Sequence, residues 1–488
     1  MKRYKIFFIN IDVVIYKMDT PLVQAIKDYI SEELAPFHMP GHKGGRGFSS
    51  SFLSDLVKMD VTEVPGLDNL QAPTNVIKDA QRLAAEAFQS DACFFLVNGS
   101  TSGLHIMIMT AVKPGDSIII PRNCHKSVWD ALVISGAMPI YIQPEYDNER
   151  CLITQVAISE VKRVVEENPN AVGMLLTNPN YYGMCPDMKA IRSILTEHNM
   201  MMLVDEAHGA HFIFHNGLPP SSAECGADIW VQSAHKTLPA FTQSSYLHVK
   251  HGKVDFERLT QLHRMLQSTS PSYLLMASLD WARGYMVEQG KNALDKLLNN
   301  LSWTRKELKA IGIDTMEDYK RPEVYMTDAT RLVLDLSNLG LTGYEGEKIL
   351  RGVGIQVEMS DLHRVVLICT VADGKPDFEK LVKACHYLRE IRSKCGERTY
   401  TLSISREMPK QMLSPKEAFD RKREYIPIKG ARGRICSGLI GAYPPGIPRF
   451  CPGELLDNSG IEELLEIKAW GGQLFGLSED ELIPVVAE

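Results

Sequence analysis

The chain has 488 residues, 44% of them hydrophobic, which is more than one buried core uses, since single cores stop growing at about 250–300 residues. A formal net charge of −7, with basic residues dispersed along the chain, argues against a surface built for nucleic acid or anionic membrane and leaves small polar metabolites as the expected partners. Ten cysteines without one C-x-x-C pair argue against a disulfide framework and read as reduced thiols of a cytoplasmic protein.

The first apolar run, "IFFINIDVVIY" (6–16), follows three basic residues as a signal peptide would. Asn10 and Asp12 interrupt it, no small-residue cleavage site follows, and it is shorter than the ~20 residues that span a bilayer, so a strand or ordered arm is expected. Initiation at Met18 is compatible with the sequence, because the first clear helix start is "DTPLVQAIKDY", where Asp19 or Thr20 caps and Pro21 enters the first turn. That helix is predicted to run to about Glu33. "PFHMPGHKGGRG" (36–47) is too rich in Gly, Pro and His for helix or strand; a nucleotide loop is disfavoured, because no G-K-[ST] follows and no strand precedes.

From 80 to 250, helical stretches alternate with short apolar runs that each end in polar residues: "CFFLV" before "NGSTSG", "SIII" before "PRNCHKS", "VGMLLT" before "NPNYYG", "MMLV" before "DEAHGAH", and "DIWV" before "QSAHK". Such continuous runs between helices predict an α/β fold with a mainly parallel sheet covered on both faces, and sheets of this kind bind ligands at the carboxyl ends of their strands. After about 290, a long charged helix leads into a strand-helix-strand-strand-helix order, a smaller α+β domain, and a last segment carries "SPKEAFDRKRE" and "GAYPPGIPRFCPGE". The expected organisation is an N-terminal arm, helix and PGHK loop (1–60), a large α/β domain (61–290), a small α+β domain (291–395) and a C-terminal domain (396–488).

Lys236 stands at a strand end 31 residues after Asp205, about one βαβ unit, so the two are expected on neighbouring strand ends. A partly desolvated lysine amine condenses readily with an aldehyde. A pyridoxal phosphate site needs that lysine, a carboxylate for the pyridine nitrogen, a flat ring against the cofactor and an anion cradle. Asp205 can be the carboxylate and His125 the ring, while Ser100, Thr101 and Ser102 lie where a helix N-terminus would favour a phosphate. Each piece has a plainer reading: "NGSTSG" as an ordinary cap, His125 as a structural histidine, and Asp205, His208 and His211 as metal ligands. The metal reading is disfavoured because no H-E-x-x-H or Cys pair supports it.

In this order, "FHMPGHKGG", "DVTEVPGLDNL", "NGSTSGLH", "PRNCHKS", "TNPNYYG", "DEAHGAH", "SAHK", "STSPSY" and "AYPPGIP…PGE" resemble the bacterial-type Orn/Lys/Arg decarboxylases, pyridoxal phosphate enzymes of the aspartate aminotransferase fold (fold type I). The resemblance spans about 20–460 and is closest to the short form without the N-terminal wing domain. It implies that Lys236 carries the cofactor, that Asp205 partners the pyridine nitrogen, and that His125 stacks on the ring. Thr101 and Ser102, aided by Ser233 and His235, would hold the phosphate; Ser268, Thr269 and Ser270 would approach it from the partner subunit of a homodimer. The family's large members have Trp where this chain has His208. Glu454 matches a glutamate near the substrate side chain, and Lys236 or His235 would return a proton to Cα. The implied reaction is decarboxylation of arginine, lysine or ornithine; aminotransferase or aldolase chemistry on the same fold, and a non-catalytic regulatory member, are the alternatives.

Overall fold

A computed structural model describes residues 20–392, 407–443 and 446–487; the arm expected at 6–16 lies outside the described residues. Seven strands form the central sheet: β1 (Ala92–Leu96), β2 (Ser117–Pro121), β3 (Met138–Ile142), β4 (Gly173–Thr177), β5 (Met201–Asp205), β6 (Ile229–Gln232) and β7 (Ser245–Val249). Their order is β1-β7-β6-β5-β4-β2-β3. Every pairing from β6 through β5, β4 and β2 to β3 is parallel, and β7 runs antiparallel to β6 and β1. All five apolar runs read from the sequence are strands of this sheet.

Alternate side chains feed two cores, which is why the runs are apolar throughout. Leu203 and Val231 pack with Leu104, Val128 and Leu132 on one face; Met202, Val204 and Trp230 pack with Val161, Ile191 and Leu195 on the other. Two strands were not read. Met138–Ile142 is a partly exposed edge that contains Pro139, and Ser245–Val249 hides Ser245 and His248 among buried apolar neighbours.

The helix predicted after 290 begins much earlier. Ser272 caps it by accepting from the Leu275 N–H, and it then runs unbroken through Tyr273–Ala310. The 290/291 boundary therefore falls inside one helix, whose buried face joins a core running from Phe88 through Leu279 and Leu301 to Leu334 and Phe378. Beyond it, Arg331–Asp335, Met359–Ser360 and Arg364–Ile368 make a small antiparallel sheet, flanked by helices Gly343–Gly352 and Lys375–Arg392. A C-terminal part with helices Pro415–Asp420 and Asn458–Ala469 has its own core around Ile440, Phe450, Leu464 and Ile483. The first predicted helix is present at Pro21–Ser31, although the Thr20 side chain makes no capping bond.

The PGHK loop is a clamp rather than a separate element. Ala35–Phe37 pairs in parallel with Ile355–Val357 of the small part. The fully buried Lys43 donates from Nζ to the carbonyls of Pro36, His38 and Ile368 at 2.8–2.9 Å, with Asp373 at 3.7 Å. Gly41 donates from its N–H to the His235 carbonyl at 2.7 Å and accepts from the Thr370 hydroxyl at 2.8 Å. A Cβ on Gly41 would sit 2.5 Å from the Leu238 carbonyl oxygen, so only glycine lets the loop reach the turn that carries Lys236.

Candidate active site

Asp205 ends β5, and Val231 of the adjacent β6 is its register partner. Ser233 follows β6, and one helical turn, Ala234–Thr237, then brings Lys236 to the same sheet edge. The neighbouring strand ends expected from the spacing are therefore observed. Asp205 is 4% exposed, and its carboxylate accepts from the Ala207 N–H at 3.1 Å. Burial raises its pKa, and the nearby Lys236 opposes that shift.

Lys236 Nζ lies 3.0 Å from His208 Nε2, while His208 Nδ1 lies 3.0 Å from Arg331 Nη2. A guanidinium only donates, so Nδ1 accepts. Burial, with Arg331 adding to it, pushes the His208 pKa well below its ordinary value, so the ring is neutral and, with Nδ1 accepting, its proton sits on Nε2. An Nε2–H can bond the lysine only if the amine is an acceptor, which requires Lys236 to be uncharged. Desolvation lowers the Lys236 pKa in the same direction, against the attraction of Asp205 and Glu358. The arrangement therefore holds a nucleophilic amine beside a buried carboxylate.

His125 caps the helix Lys126–Ser135, taking the Ser127 N–H on Nδ1, and that ring nitrogen is 2.7 Å from the Ser127 hydroxyl. Burial, with Lys236 and Lys126 adding to it, lowers its pKa to about 3, so a neutral flat ring faces the lysine's surroundings. Gly99, at φ +75°, starts the helix Gly99–Ala111, which leaves the first backbone N–H groups of that helix without intrahelical acceptors. Ser233 donates to the Ser100 hydroxyl at 2.7 Å, and Thr101 is exposed on the same turn. This helix start stands at the end of β1, separated from β6 by β7, and the free N–H groups of a helix N-terminus favour an anion there.

Three expected roles change. The Ser102 hydroxyl donates to the Gly99 carbonyl and accepts from Gln267, so it braces the loop rather than offering its proton to a phosphate. His235 lies 3.0 Å from the Ser244 carbonyl through Nδ1, and burial lowers its pKa to about 4, so it carries no spare proton near neutrality. Glu454 is fully buried, with Arg122 at 2.7 Å and the Cys451 N–H at 2.7 Å on its carboxylate, so a substrate cation would have to displace a guanidinium. Ser268, Thr269 and Ser270 are exposed, and Gln71 bonds the Ser268 carbonyl.

Sequence reasoning missed Arg331, Glu358, Tyr181 and Thr177. Tyr181 packs edge-on against His208 with ring centroids 5.4 Å apart. Thr177 ends β4 opposite Asp205, and its buried hydroxyl has no bonding partner among the described residues, an atom that a ligand at this edge would satisfy. Only Thr177 and Tyr181 carried a signal, since Thr177 closes an apolar run and Tyr181 belongs to the polar cluster after it. Among the described residues no group of three or more His, Cys, Asp or Glu side chains is placed to hold a metal ion, and no helix is long and apolar enough to cross a membrane.

The Orn/Lys/Arg decarboxylase major domain matches residues 20–321, and the C-terminal domain of the same family matches 398–480. The arginine decarboxylase of Bacillus subtilis (strain 168) is 40% identical over 460 residues, covering 92% of this chain and 93% of that protein. The arginine decarboxylase of Halalkalibacterium halodurans is 36% identical, covering 94% of this chain and 96% of that protein. The crystal structure of the Francisella novicida lysine decarboxylase LdcF, 22% identical, superposes with a TM-score of 0.77 over 96% of this chain and 83% of that one, a likeness of fold. With a fold-type-I sheet, a buried lysine amine at its carboxyl edge and both family domains in place, the chain belongs to the Orn/Lys/Arg decarboxylase family and is a decarboxylase of basic amino acids.

Proposed function

We infer that the chain decarboxylates L-arginine with pyridoxal 5′-phosphate, giving carbon dioxide and agmatine, and that it works as a homodimer in the cytoplasm. The observation that carries this reading is the buried Lys236 amine, 3.0 Å from the His208 ring and set at the same sheet edge as the buried Asp205. The donor set fits the cofactor: an amine for the aldehyde, a buried carboxylate for the ring nitrogen, an orphaned Thr177 hydroxyl at the same edge, and the Ser100, Thr101 and Ser233 cradle for phosphate. When bound, the cofactor supplies an electron sink for the bond between Cα and the carboxylate.

This chain's residues do the rest. Asp205 would face the ring nitrogen of the cofactor and, ionised, would keep a proton there, because a buried carboxylate without its cation is costly. His125 offers a flat neutral face. With the cofactor bound, Lys236 would take the proton given up by the substrate ammonium and hold it for delivery to Cα. His208 and Arg331 keep Nζ aimed and uncharged between those steps.

Arginine is favoured over lysine because relatives at 35–40% identity are arginine decarboxylases, while the lysine decarboxylase LdcA of Pseudomonas aeruginosa is 25% identical. A partner subunit is supported by helix Pro21–Ser31, which buries no residue and exposes Leu22, Val23, Ile26 and Ile30. Incubating the purified protein and cofactor with arginine, lysine and ornithine, and quantifying carbon dioxide and amine, tests the reading. Equimolar carbon dioxide and agmatine are expected, with arginine preferred at least tenfold in kcat/KM. Keto acid without carbon dioxide, or a preference for lysine, would refute it.

A further inference from the structure

The turn that delivers His125 is gripped from outside the sheet. Arg122 follows β2 directly and its N–H donates to the Ile142 carbonyl of β3 at 3.0 Å, while the Cys124 N–H closes the turn on the Pro121 carbonyl at 3.3 Å. His125 comes next as the cap of helix Lys126–Ser135, so the place of its ring is set by the turn and the cap together. Asn123 ties one side of the turn to the Thr154 carbonyl at 3.2 Å.

The other side is held by the C-terminal part. Arg122 is buried, and its Nη1 donates to Glu454 Oε1 at 2.7 Å and to Cys451 Sγ at 3.1 Å. Its Nη2 donates to the Arg449 carbonyl at 2.9 Å and to Glu454 Oε2 at 3.4 Å. The Tyr141 ring covers the guanidinium, with its centroid 4.7 Å from Cζ. Glu454 is fixed in turn by the Cys451 N–H at 2.7 Å, and helix Pro415–Asp420 of the same part packs against helix Lys126–Ser135. A buried ion pair is weak evidence for stability, because desolvating both charges offsets much of their attraction. What a fork on a carboxylate does supply is direction as well as distance. Here that direction is imposed three residues before His125.

We propose that Arg122 and Glu454 are positioning residues for the reaction: through this pair the C-terminal part sets the place of the His125 ring, while neither residue touches cofactor or substrate. The inference rests on the reading above, in which His125 faces the cofactor. Arg122→Lys tests it, because it keeps a cation opposite Glu454 and should fold, yet an ammonium cannot reproduce the fork. In the apoprotein, hydrogen exchange over residues 122–128 should be about tenfold faster in this variant than in the parent. In the holoenzyme, Arg122→Lys and Glu454→Gln should each lower kcat for carbon dioxide release about tenfold with little change in KM. Added to His125→Ala, either should cost at most about threefold more, because an absent ring cannot be misplaced. Losses that multiply would overturn the proposal. So would parental exchange and parental kcat in Arg122→Lys with only a lowered thermal midpoint, the result for a pair that merely braces the C-terminal part. Should Glu454→Gln fail to fold, Arg122→Lys decides alone. A parent that releases carbon dioxide while the losses multiply condemns the positioning claim only. A parent that binds the cofactor without releasing carbon dioxide condemns the decarboxylation reading, and the exchange rates still decide the positioning claim.

Discussion

His208 is the residue whose hydrogen bonds decide the charge of Lys236, because Arg331 leaves it only one nitrogen on which to carry a proton. Replacing it by phenylalanine keeps a flat ring and removes the donor. His208→Phe should raise the Lys236 pKa and slow cofactor capture by the apoprotein at pH 7 about tenfold, with the deficit disappearing as pH rises; a pH-independent rate equal to the parent's would refute the assignment. Lys236→Ala should abolish the visible absorbance of the cofactor–lysine bond and cut carbon dioxide release by at least ~10³-fold. Asp205→Ala should weaken cofactor binding and cut turnover by about 10²-fold or more; unchanged turnover would refute its role. Lys236 and Asp205 were legible because each stands where an apolar run turns polar. Arg331 was not, since it opens a strand of the small part and reaches His208 from 123 positions away.

Strands with unbroken apolar runs could be read, whereas β7 could not, because its polar residues are satisfied inside. His248 is fully buried, within 3.0 Å of Gln232 and 3.2 Å of the Ser90 hydroxyl, and stacks on Trp230. Burial alone lowers its pKa to about 3, against about 6.5 in an unfolded chain. The unfolded state therefore binds the extra proton between those values, so this imidazole costs no stability above pH 6.5 and progressively more as pH falls toward 3. Between pH 7.5 and 5 the loss is about 2 kcal/mol, and His248→Gln should remove that part of the pH dependence of the urea midpoint; an unaltered slope would contradict it. The PGHK loop was read only as a non-nucleotide loop, because the carbonyls that hold Lys43 come from its own strand and from Ile368. Lys43→Met takes the donor from three interior carbonyls, while Asp373 keeps Arg46 and the Thr370 N–H, and should destabilise by about 2–3 kcal/mol, seen as a lowered thermal midpoint.

For the whole molecule, motif order was enough to anticipate the α/β class and the family, whereas the join between large and small parts was hidden. A continuous helix carries no composition break at the point where its neighbours change, and Tyr273–Ala310 runs through the expected boundary. Glu454 was misread for a related reason: its partner Arg122 lies 332 residues away, so nothing local shows that its charge is already neutralised. The exposed Leu22, Val23, Ile26 and Ile30 should be covered in a homodimer, and sedimentation at micromolar concentration should give twice the chain mass of 54.6 kDa. All of these scales depend on one amine. Borohydride reduction of the protein with pyridoxal 5′-phosphate, followed by peptide mass mapping, should place one cofactor mass per chain on Lys236; the same mass on another lysine, or on none, would contradict the account.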